Sequence, residues 1–246
     1  MSIVRTAKPP LNKAMYFNGV NSYIQISDSP SIRLVNLSVL SWVQVFSCSS
    51  WNVVVSKSTA SANRPNYEFG VSQNSCNLYA WNGGASAYGN YKVSPYIFVH
   101  IGVTVSGSTT VFYVNGNLIN QASWSVNTNY DTYPLFIGTD YPQPRPEDYN
   151  FFYGYIAQVL IYSRALSDSE IQWNYQYPDN PVRNDLVLWL QADPSNVKDI
   201  DGDGRLEWID LSGYNNHGKI YDAQLVQLIK TPSRVLNPVR VLKPLR

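Results

Sequence analysis

Residues 97–119 read IFVHIGVTVSGSTTVFYVNGNLI, and this stretch decides the class of fold. Apolar side chains recur at every second position from residue 97 to 105, the period that places them on one face of a β-strand. Gly107-Ser108 interrupts the pattern, a second apolar run follows, and Asn115-Gly116 ends that run with the strongest short-range signal for a β-hairpin. The stretch therefore predicts three consecutive antiparallel strands, the third beginning at Leu118-Ile119.

Similar short apolar runs, separated by turn residues, fill most of the chain from residue 14 to 178. The run at residues 39–46 is apolar on both faces, as the centre of a sandwich requires. Many short strands at this spacing are typical of a β-sandwich or a jelly roll. The other runs span residues 16–26, 51–55, 67–71, 76–81, 135–138 and 155–162.

One short helix is predicted near residue 170. The segment Ser167-Asp168-Ser169-Glu170 is a capping box, in which the serine oxygen and the glutamate carboxylate accept hydrogen bonds from free backbone N–H groups. Residues 171–175 form the body of this helix, and Pro178 ends it.

Composition and charge exclude several classes of partner. The chain has 246 residues, of which 14% are charged, and its formal net charge is +1. Binding to nucleic acid or to an anionic membrane usually needs a strongly basic surface, so we expect neither partner. No segment approaches the ~20 apolar residues that cross a bilayer. The first ten residues lack the apolar core of a secretory signal, so export would need a removed leader, a missing upstream part or release with a particle.

Three strings stand in a recognisable order along residues 14–176. They are AMYFNGVNSY at 14–23, followed by SDSPSI at 27–32; VFYVNGN at 111–117; and GYIAQVLIYSRALSDSEI at 154–171. Together they resemble the opening, a hairpin, and the terminal strand and helix of a laminin-G-like domain of the concanavalin A-like lectin/glucanase superfamily. The resemblance implies an all-β fold, a two-sheet antiparallel jelly-roll sandwich with one short helix, to which an extended C-terminal arm is added.

The C-terminal part departs from the order of the family. Leu186–Leu190 and residues 210–218 resemble the family's first strand and loop, yet here they follow the last helix. The strand could return to its own sheet in a circularly permuted fold, be donated to a neighbouring subunit, or begin a truncated second repeat. We favour the first two, because the tail that follows repeats regularly, with arginine at residues 234, 240 and 246 on one side of an extended chain.

These features divide the chain into four predicted parts. They are an N-terminal arm at residues 1–13, the laminin-G-like jelly roll at 14–178, a C-terminal extension at 179–230 and a basic extended tail at 231–246.

The sequence lacks the paired carboxylates that glycoside hydrolysis requires. Hydrolases of this superfamily typically carry them on one strand as Glu-x-Asp-x-x-Glu, and no such string occurs here. A Gly-x-Ser-x-Gly nucleophile turn is absent as well. We therefore predict a protein that is not an enzyme and has no catalytic residues, with a glycoside hydrolase as the less favoured alternative.

Tyrosine, tryptophan and asparagine cluster in the predicted loops, where sandwich folds carry their binding groups. Aromatic faces stack on the C–H surfaces of sugars, and amides and hydroxyls bind sugar hydroxyls. Any one of these residues fits an ordinary hydrated surface equally well, and only the whole set favours ligand binding. The predicted glycan-binding residues are Tyr79, Trp81, Asn82, Tyr88, Asn90, Tyr130, Asp140, Tyr141 and Asp148.

Residues 199–210 read DIDGDGRLEWID and follow the spacing of a twelve-residue calcium loop. Carboxylates stand at its positions one, three, five, nine and twelve, and glycine stands at position six, where such a loop turns sharply. The alternative is an Asp/Gly turn whose carboxylates accept backbone hydrogen bonds. The predicted cofactor is Ca²⁺, and the predicted ligands are Asp199, Asp201, Asp203, Arg205, Glu207 and Asp210.

Several further positions bear on metals and redox state. Relatives usually have aspartate where this chain has Asn18 and Asn21, and an acidic pair where it has Ala157-Gln158. Neutral amides supply less charge, so a calcium site of the family type is not favoured. Cys48 and Cys76 either form one disulfide or remain two buried thiols. Neither of the two histidines, at residues 100 and 217, has a second histidine nearby, so a structural role is favoured over zinc binding.

The function predicted from the sequence is a non-enzymatic recognition module that binds a glycan or glycoprotein on an extracellular or virion surface. The alternative is a structural subunit of a virion or surface appendage, which would assemble as a homo-oligomer, or with other subunits, by exchanging the C-terminal strand. The two functions are compatible, because the outer subunit of a particle can also bind its receptor.

Overall fold

The structure, a computed structural model, describes residues 11–59, 64–142 and 150–228. The predicted basic tail at 231–246 and the predicted glycan-binding residue Asp148 lie outside these ranges, as does most of the predicted N-terminal arm.

Antiparallel strands form almost all of the regular structure in the described residues, together with one α-helix, α1 (Asp168–Gln176). The all-β prediction is therefore confirmed. In chain order the strands are β1 (Lys13–Asn18), β2 (Tyr23–Ile26), β3 (Leu37–Val45), β4 (Asn52–Lys57), β5 (Tyr67–Val71), β6 (Asn77–Trp81), β7 (Ser86–Lys92), β8 (Val99–Ser106), β9 (Thr109–Val114), β10 (Asn117–Ser123), β11 (Leu135–Ile137), β12 (Tyr153–Tyr162), β13 (Leu186–Gln191), β14 (Val197–Lys198), β15 (Glu207–Trp208), β16 (Gly218–Tyr221) and β17 (Gln224–Gln227).

The strands form two sheets. An eight-stranded sheet has the order β10-β9-β8-β3-β12-β1-β17, with β13 also paired to β12. A nine-stranded sheet has the order β14-β15-β16-β2-β11-β4-β5-β6-β7. The main core lies between them, because alternate side chains of each strand, such as Val43 of β3 and Phe69 of β5, point inward and are buried. Full burial of one such side chain contributes about 1.5–3 kcal/mol relative to its exposure.

The C-terminal segment returns to its own sheets. Along one edge, β12 pairs with β3 over its whole length, whereas β1 and β13 share the other edge end to end. In that edge Met15 lies opposite Ile156, and Gln191 lies opposite Gln158. Of the three explanations for the displaced strand, the structure shows the return to the chain's own sheet. The extension at 179–230 is thus part of the sandwich: it supplies β13 and β17 to one sheet and β14, β15 and β16 to the other.

The helix α1 forms as its capping box predicts. The hydroxyl of Ser167 accepts from the backbone N–H of Glu170, and the Glu170 carboxylate accepts from the backbone N–H of Ser167. The helix covers part of the outer face of the eight-stranded sheet, where its buried Ile171 packs in a cluster with Leu160 of β12 and Leu186 of β13. The chain thereby gains a second, smaller core outside the sandwich.

Two strand predictions need correction. The strand predicted from residue 97 begins at Val99, and Ile97 is an exposed turn residue. Strand β7 was not predicted at all, because its inward positions are the small residues Ala87 and Gly89 and give no apolar alternation. At Gly89 an added Cβ would lie 3.0 Å from Leu78 Cβ, so close packing explains the small residue there.

The two cysteines form a disulfide. Cys48, just after β3, is bonded to Cys76, just before β6, with a Cα–Cα distance of 5.5 Å. The structure thus selects the bridged form of the two alternatives that the sequence left open.

Candidate functional site

Strands β6 and β7 form one edge of the nine-stranded sheet, and they and the turn between them carry five of the predicted glycan-binding residues. Leu78, Ala80 and Ala87 point into the core. Strand alternation therefore places Trp81 and Tyr88 together on the outer face. Trp81 pairs with Ser86 and Tyr79 with Tyr88, so Trp81 and Tyr88 are diagonal neighbours in the ladder. The other three predicted residues are Asn82 in the turn, Asn90, which is exposed on the same strand as Tyr88, and Tyr79, which is buried.

These two rings are partly exposed on the outer face. Tyr88 is 45% exposed and Trp81 is partly exposed. Within the described ranges, neither ring packs against another aromatic ring, whereas many of the other tyrosines do. The exposed part of each ring can therefore contact a ligand.

A rigid turn stands next to Trp81. Asn82 Oδ1 accepts from the backbone N–H groups of Gly84 (3.1 Å) and Ala85 (2.7 Å), and Asn82 Nδ2 donates to the Ser125 carbonyl (2.8 Å). Gly83 has φ +80°, and an added Cβ there would lie 2.7 Å from Arg64 Cα, so only glycine fits. These contacts fix the turn before any ligand arrives.

The turn borders an open depression of about 290 Å³. Its lining is partly polar and partly apolar, and it brings Asn127 beside Asn82 although the two residues are far apart in sequence. Asn66 Nδ2 holds the Asn127 segment by donating to the carbonyls of Asn127 (2.9 Å) and Asn129 (3.0 Å). The lining residues are Arg64, Asn82, Gly83, Gly84 and Asn127.

Two predicted tyrosines serve the fold instead. Tyr79 is buried under the outer face, its hydroxyl donates to Glu68 Oε1 (2.7 Å), and its ring packs against Trp51. The Tyr130 hydroxyl donates to the Leu34 carbonyl, and burial raises its pKa. Tyr79 is therefore not available to a sugar, and Tyr130 is only partly exposed.

Two other predicted residues lie away from the β6–β7 edge. Asp140 is buried and accepts from Asn150 Nδ2 (2.8 Å). Tyr141 is half-buried and its ring stacks on Tyr133, with centroids 5.9 Å apart. These two residues therefore form a separate group on the outer side of the nine-stranded sheet.

The structure places together two acids that sequence reasoning did not pair. Glu68 of β5 is 4% exposed, and its pKa is raised to about 8, first by burial and then by the charge of Asp140. No hydrogen-bond partner is present for Glu68 Oε2 in the part of the chain that the structure describes. The search for a paired motif along one strand could not find these acids, because they come from β5 and from the segment after β11.

A second surface that the sequence did not indicate lies on the outer face of the eight-stranded sheet. Phe46 is its centre and contacts Tyr96 (5.2 Å between centroids), Tyr153 (5.2 Å) and Tyr155 (4.9 Å). Tyr96 is 67% exposed. We call this surface the aromatic patch; its members are Tyr16, Phe46, Tyr96, Phe98, Tyr153 and Tyr155.

The loop between β14 and β15 gathers three of the six predicted calcium ligands. Asp199, Asp201 and Asp203 each place one carboxylate oxygen within 4.8 Å of the others. Arg205 turns its guanidinium over the Tyr221 ring, 4.2 Å from the centroid, so it could offer only its backbone carbonyl. We call residues 199–205 the acidic loop.

Asp210, the predicted twelfth ligand, is turned away from the acidic loop. Its Oδ1 accepts from the backbone N–H groups of Trp189 and Ser212, and its Oδ2 accepts from Ser212 Oγ and from the backbone N–H of Asn216. A buried carboxylate that makes four hydrogen bonds is structural, so Asp210 is removed from the predicted ligand set.

The positions of a family-type calcium site do not fit a metal here. Asn18 Oδ1 accepts from the backbone N–H groups of residues 20, 21 and 22, and Asn18 Nδ2 donates to Asn21 Oδ1. The side chain of Gln158 donates to the Pro178 carbonyl (2.7 Å). These amides fix local turns and bring no net charge to a cation.

Both histidines have structural positions. His100 is fully buried between Trp42 and Tyr175, with ring centroids 5.3 and 5.7 Å away. His217 Nδ1 accepts from the backbone N–H of Asp210 (3.0 Å). None of the helices in the described ranges has the length and apolar character needed to span a bilayer.

Known proteins of the same fold are similar to this chain. A laminin-G-like family model, described as the concanavalin A-like lectin/glucanases superfamily, matches residues 18–172. A comparison with curated protein sequences gives no match. A proposed carbohydrate-binding protein from Bacteroides ovatus ATCC 8483 has a similar structure, with a TM-score of 0.68 and 16% identity over 89% of this chain. The match covers 60% of that protein, so this chain spans well under its whole length.

Two carbohydrate-related modules are also similar in structure. Domain 4 of the extracellular GH43 arabinanase AbnA from Geobacillus stearothermophilus, solved with arabinotriose, has a TM-score of 0.50 and 18% identity over 65% of this chain and 74% of that one. The CBM40 module of the Ruminococcus gnavus IT-sialidase has a TM-score of 0.50 and 11% identity over 64% and 95%, respectively. At these identities the three structures establish the shared fold.

Proposed function

The chain belongs to the laminin-G-like family of the concanavalin A-like lectin/glucanases superfamily, and from that premise we propose that it is a non-enzymatic glycan-binding module. One observation carries the proposal: Trp81 and Tyr88 are partly exposed on one outer face, and the turn that follows Trp81 borders an open depression. The solved relatives named above include carbohydrate-binding modules, which supports the same function for this fold.

The chemistry of this edge suits a sugar. The flat rings of Trp81 and Tyr88 match the apolar C–H faces of a pyranose. Asn82, Asn127 and Arg64 line the depression, where amide and guanidinium groups can bind sugar hydroxyls. Because the turn is held by its own hydrogen bonds, binding would cost little conformational entropy.

The buried acids favour binding over hydrolysis. Glycoside hydrolysis needs two carboxyl groups that flank an accessible scissile bond. Glu68 and Asp140 are both buried, and one oxygen of each is engaged by Tyr79 or Asn150. We therefore assign no catalytic role to them.

The disulfide supports a location outside the cytoplasm. Disulfides persist in oxidising compartments, at cell surfaces and on virions. We propose an extracellular or surface location on this ground.

The alternative function, a structural subunit of a virion or appendage, would need a contact other than strand exchange, because β13 is used within the chain. The aromatic patch is an exposed apolar surface on which such self-association could be built.

A glycan array followed by calorimetry tests the proposal. The full chain should bind a defined set of glycans, and Trp81→Ala and Tyr88→Ala should each weaken that binding by about tenfold or more, since loss of about 1.4 kcal/mol per ring is a tenfold change. Tyr96→Ala and Tyr153→Ala are matched controls, because they remove exposed rings from the aromatic patch instead. Thermal unfolding should show that all four variants fold.

The outcomes separate the function from the assigned site. An array without specific binding would contradict the function. Binding that Tyr96→Ala abolishes and Trp81→Ala leaves intact would retain the function and move the site to the eight-stranded sheet. Sedimentation of the Tyr96 and Tyr153 variants shows in the same samples whether the aromatic patch joins copies of the chain.

A further inference from the structure

The acidic loop holds the ammonium group of a lysine among its carboxylates. Lys219 Nζ lies 2.7 Å from Asp201 Oδ2 and 2.5 Å from Asp203 Oδ2. Asp199 accepts from the backbone N–H groups of Gly202 (2.8 Å) and Gly204 (3.0 Å), both of which have positive φ. The loop is therefore folded so that its carboxylates converge on a position that a cation already occupies.

Glu207 supplies an independent sign that this position is built for a ligand. It is 7% exposed, and Oε2 is buried without a hydrogen-bond partner within the described ranges. It lies directly opposite Lys219 in the β15–β16 ladder, and Asp201 and Asp203 act on it electrostatically. A buried carboxylate oxygen without a partner is costly, and a bound cation beside the acidic loop would satisfy it.

The charges at this place are unbalanced. The single ammonium of Lys219 contacts the carboxylates of Asp201 and Asp203, while Asp199 lies within the same carboxylate cluster and Glu207 lies opposite Lys219 on β15. The spacing of these four acids matches positions one, three, five and nine of a calcium loop, and position nine commonly reaches the ion through a water molecule. Ca²⁺ prefers an all-oxygen, adaptable ligand set, whereas Zn²⁺ prefers nitrogen and sulfur.

We propose that the acidic loop and Glu207 bind a Ca²⁺ ion in competition with the ammonium group of Lys219. Asp199, Asp201 and Asp203 are the direct carboxylate ligands, and Glu207 completes the site from the neighbouring strand. Lys219 leaves when the ion enters, so it lowers the calcium affinity and closes the site when calcium is scarce.

This site is independent of glycan binding. The acidic loop adjoins β15 at one edge of the nine-stranded sheet, whereas Trp81 and Tyr88 lie at the other edge, on β6 and β7. The chain could therefore lose calcium binding and keep glycan binding, or lose glycan binding and keep calcium binding.

Calorimetric titration of the full chain with CaCl₂ tests the proposal. Lys219→Gln removes the competing charge and should tighten calcium binding by about tenfold, the value of two surface ion pairs. Asp201→Asn should weaken binding by about tenfold or more, and Glu207→Gln should weaken it as well. Asp179→Asn changes an exposed carboxylate elsewhere and should leave the affinity unchanged. Circular dichroism of each variant checks its fold.

The Lys219→Gln variant keeps the test decisive. If neither this variant nor the unchanged chain gives binding heat at millimolar calcium, the proposal is overturned, because the competitor is then absent. Binding that survives Asp201→Asn undiminished, or that Glu207→Gln does not weaken, would place the ion elsewhere and would equally overturn it. Tighter binding in Lys219→Gln that is lost on adding Asp201→Asn supports it.

Discussion

The hydroxyl of Tyr79 donates a 2.7 Å hydrogen bond to Glu68 Oε1 beneath the outer face of the nine-stranded sheet. Both side chains are buried although they stand on the solvent-facing side of their strands. The sheet therefore carries a buried ionisable group outside the main core. Burial and the charge of Asp140 raise the pKa of Glu68 to about 8, which keeps this carboxyl protonated at neutral pH.

Glu68 makes stability fall as pH rises. Below pH 4.5, the ordinary value, both the folded and the unfolded chain hold the proton. Between pH 4.5 and about 8 the unfolded chain ionises while the folded chain does not, so the free energy of unfolding falls by about 1.4 kcal/mol per pH unit. Glu68→Gln should remove this dependence on pH, so its free energy of unfolding should exceed that of the unchanged chain by the largest amount at pH 8. Urea unfolding at pH 5, 6.5 and 8 measures it.

Glu170→Gln is the matched control for that experiment. Hydrogen bonds from Arg164 hold the pKa of Glu170 at about 2, so its contribution to stability is complete above pH 4.5 and is lost as pH falls toward 2. This substitution should therefore lower stability equally at pH 5 and pH 8. Parallel curves for the unchanged chain and Glu68→Gln over that interval would contradict the role assigned to Glu68.

His100 makes stability fall in the acid range. It is fully buried, both ring nitrogens lack partners in the described part of the chain, and burial lowers its pKa to about 3. As pH falls from 6.5 toward 3, the unfolded chain takes up a proton that the folded chain refuses, at a cost of about 1.4 kcal/mol per pH unit. His100→Phe should reduce the loss of stability between pH 7 and pH 4. If His100→Phe loses as much stability between pH 7 and pH 4 as the unchanged chain does, the role assigned to His100 is wrong.

Local patterns were sufficient for much of the fold. The Asn115-Gly116 hairpin and the Ser167 capping box are determined by neighbours in sequence, so β9, β10 and α1 could be predicted. Strand β7 could not, because its inward Ala87 and Gly89 carry no apolar signal. The pairing of β13 with β12 could not be chosen either, because strand return and strand exchange bury the same side chains.

The candidate site was predictable only in part. Trp81, Asn82 and Tyr88 are close in sequence, and a hairpin keeps them close in space. Tyr79 and Tyr130 have the same residue type as Tyr88, but strand register and contacts with distant Glu68 and Leu34 bury them. The insertion of Lys219 into the acidic loop likewise depends on a ladder that no local pattern reveals.

The disulfide should stabilise the sandwich considerably. It joins positions 28 residues apart, and a closed loop of this length removes about 3 kcal/mol of chain entropy from the unfolded state. The double variant Cys48→Ser, Cys76→Ser should lose about that amount in urea unfolding. Unchanged stability would mean that the loop is already constrained without the bond. The unchanged chain under reducing conditions loses the bond with both cysteines in place, and so controls for the change of side chain.

The C-terminal strand β13 should be indispensable to a single chain. Leu188 of β13 is fully buried and lies opposite Ile161 of β12, so Leu188→Ala should cost about 2–5 kcal/mol in the free energy of unfolding. Leu118 of β10 is 51% exposed, and Leu118→Ala should cost much less.

A chain that ends at residue 178 loses β13 to β17 and should not fold, because edges of β12, β2 and β1 lose their partners. Two results would contradict this: a shortened chain that folds as a stable monomer, or a Leu188→Ala variant that changes only its oligomeric state in light scattering. Either result would mean that β13 belongs to an exchanged arm rather than to the chain's own sheet.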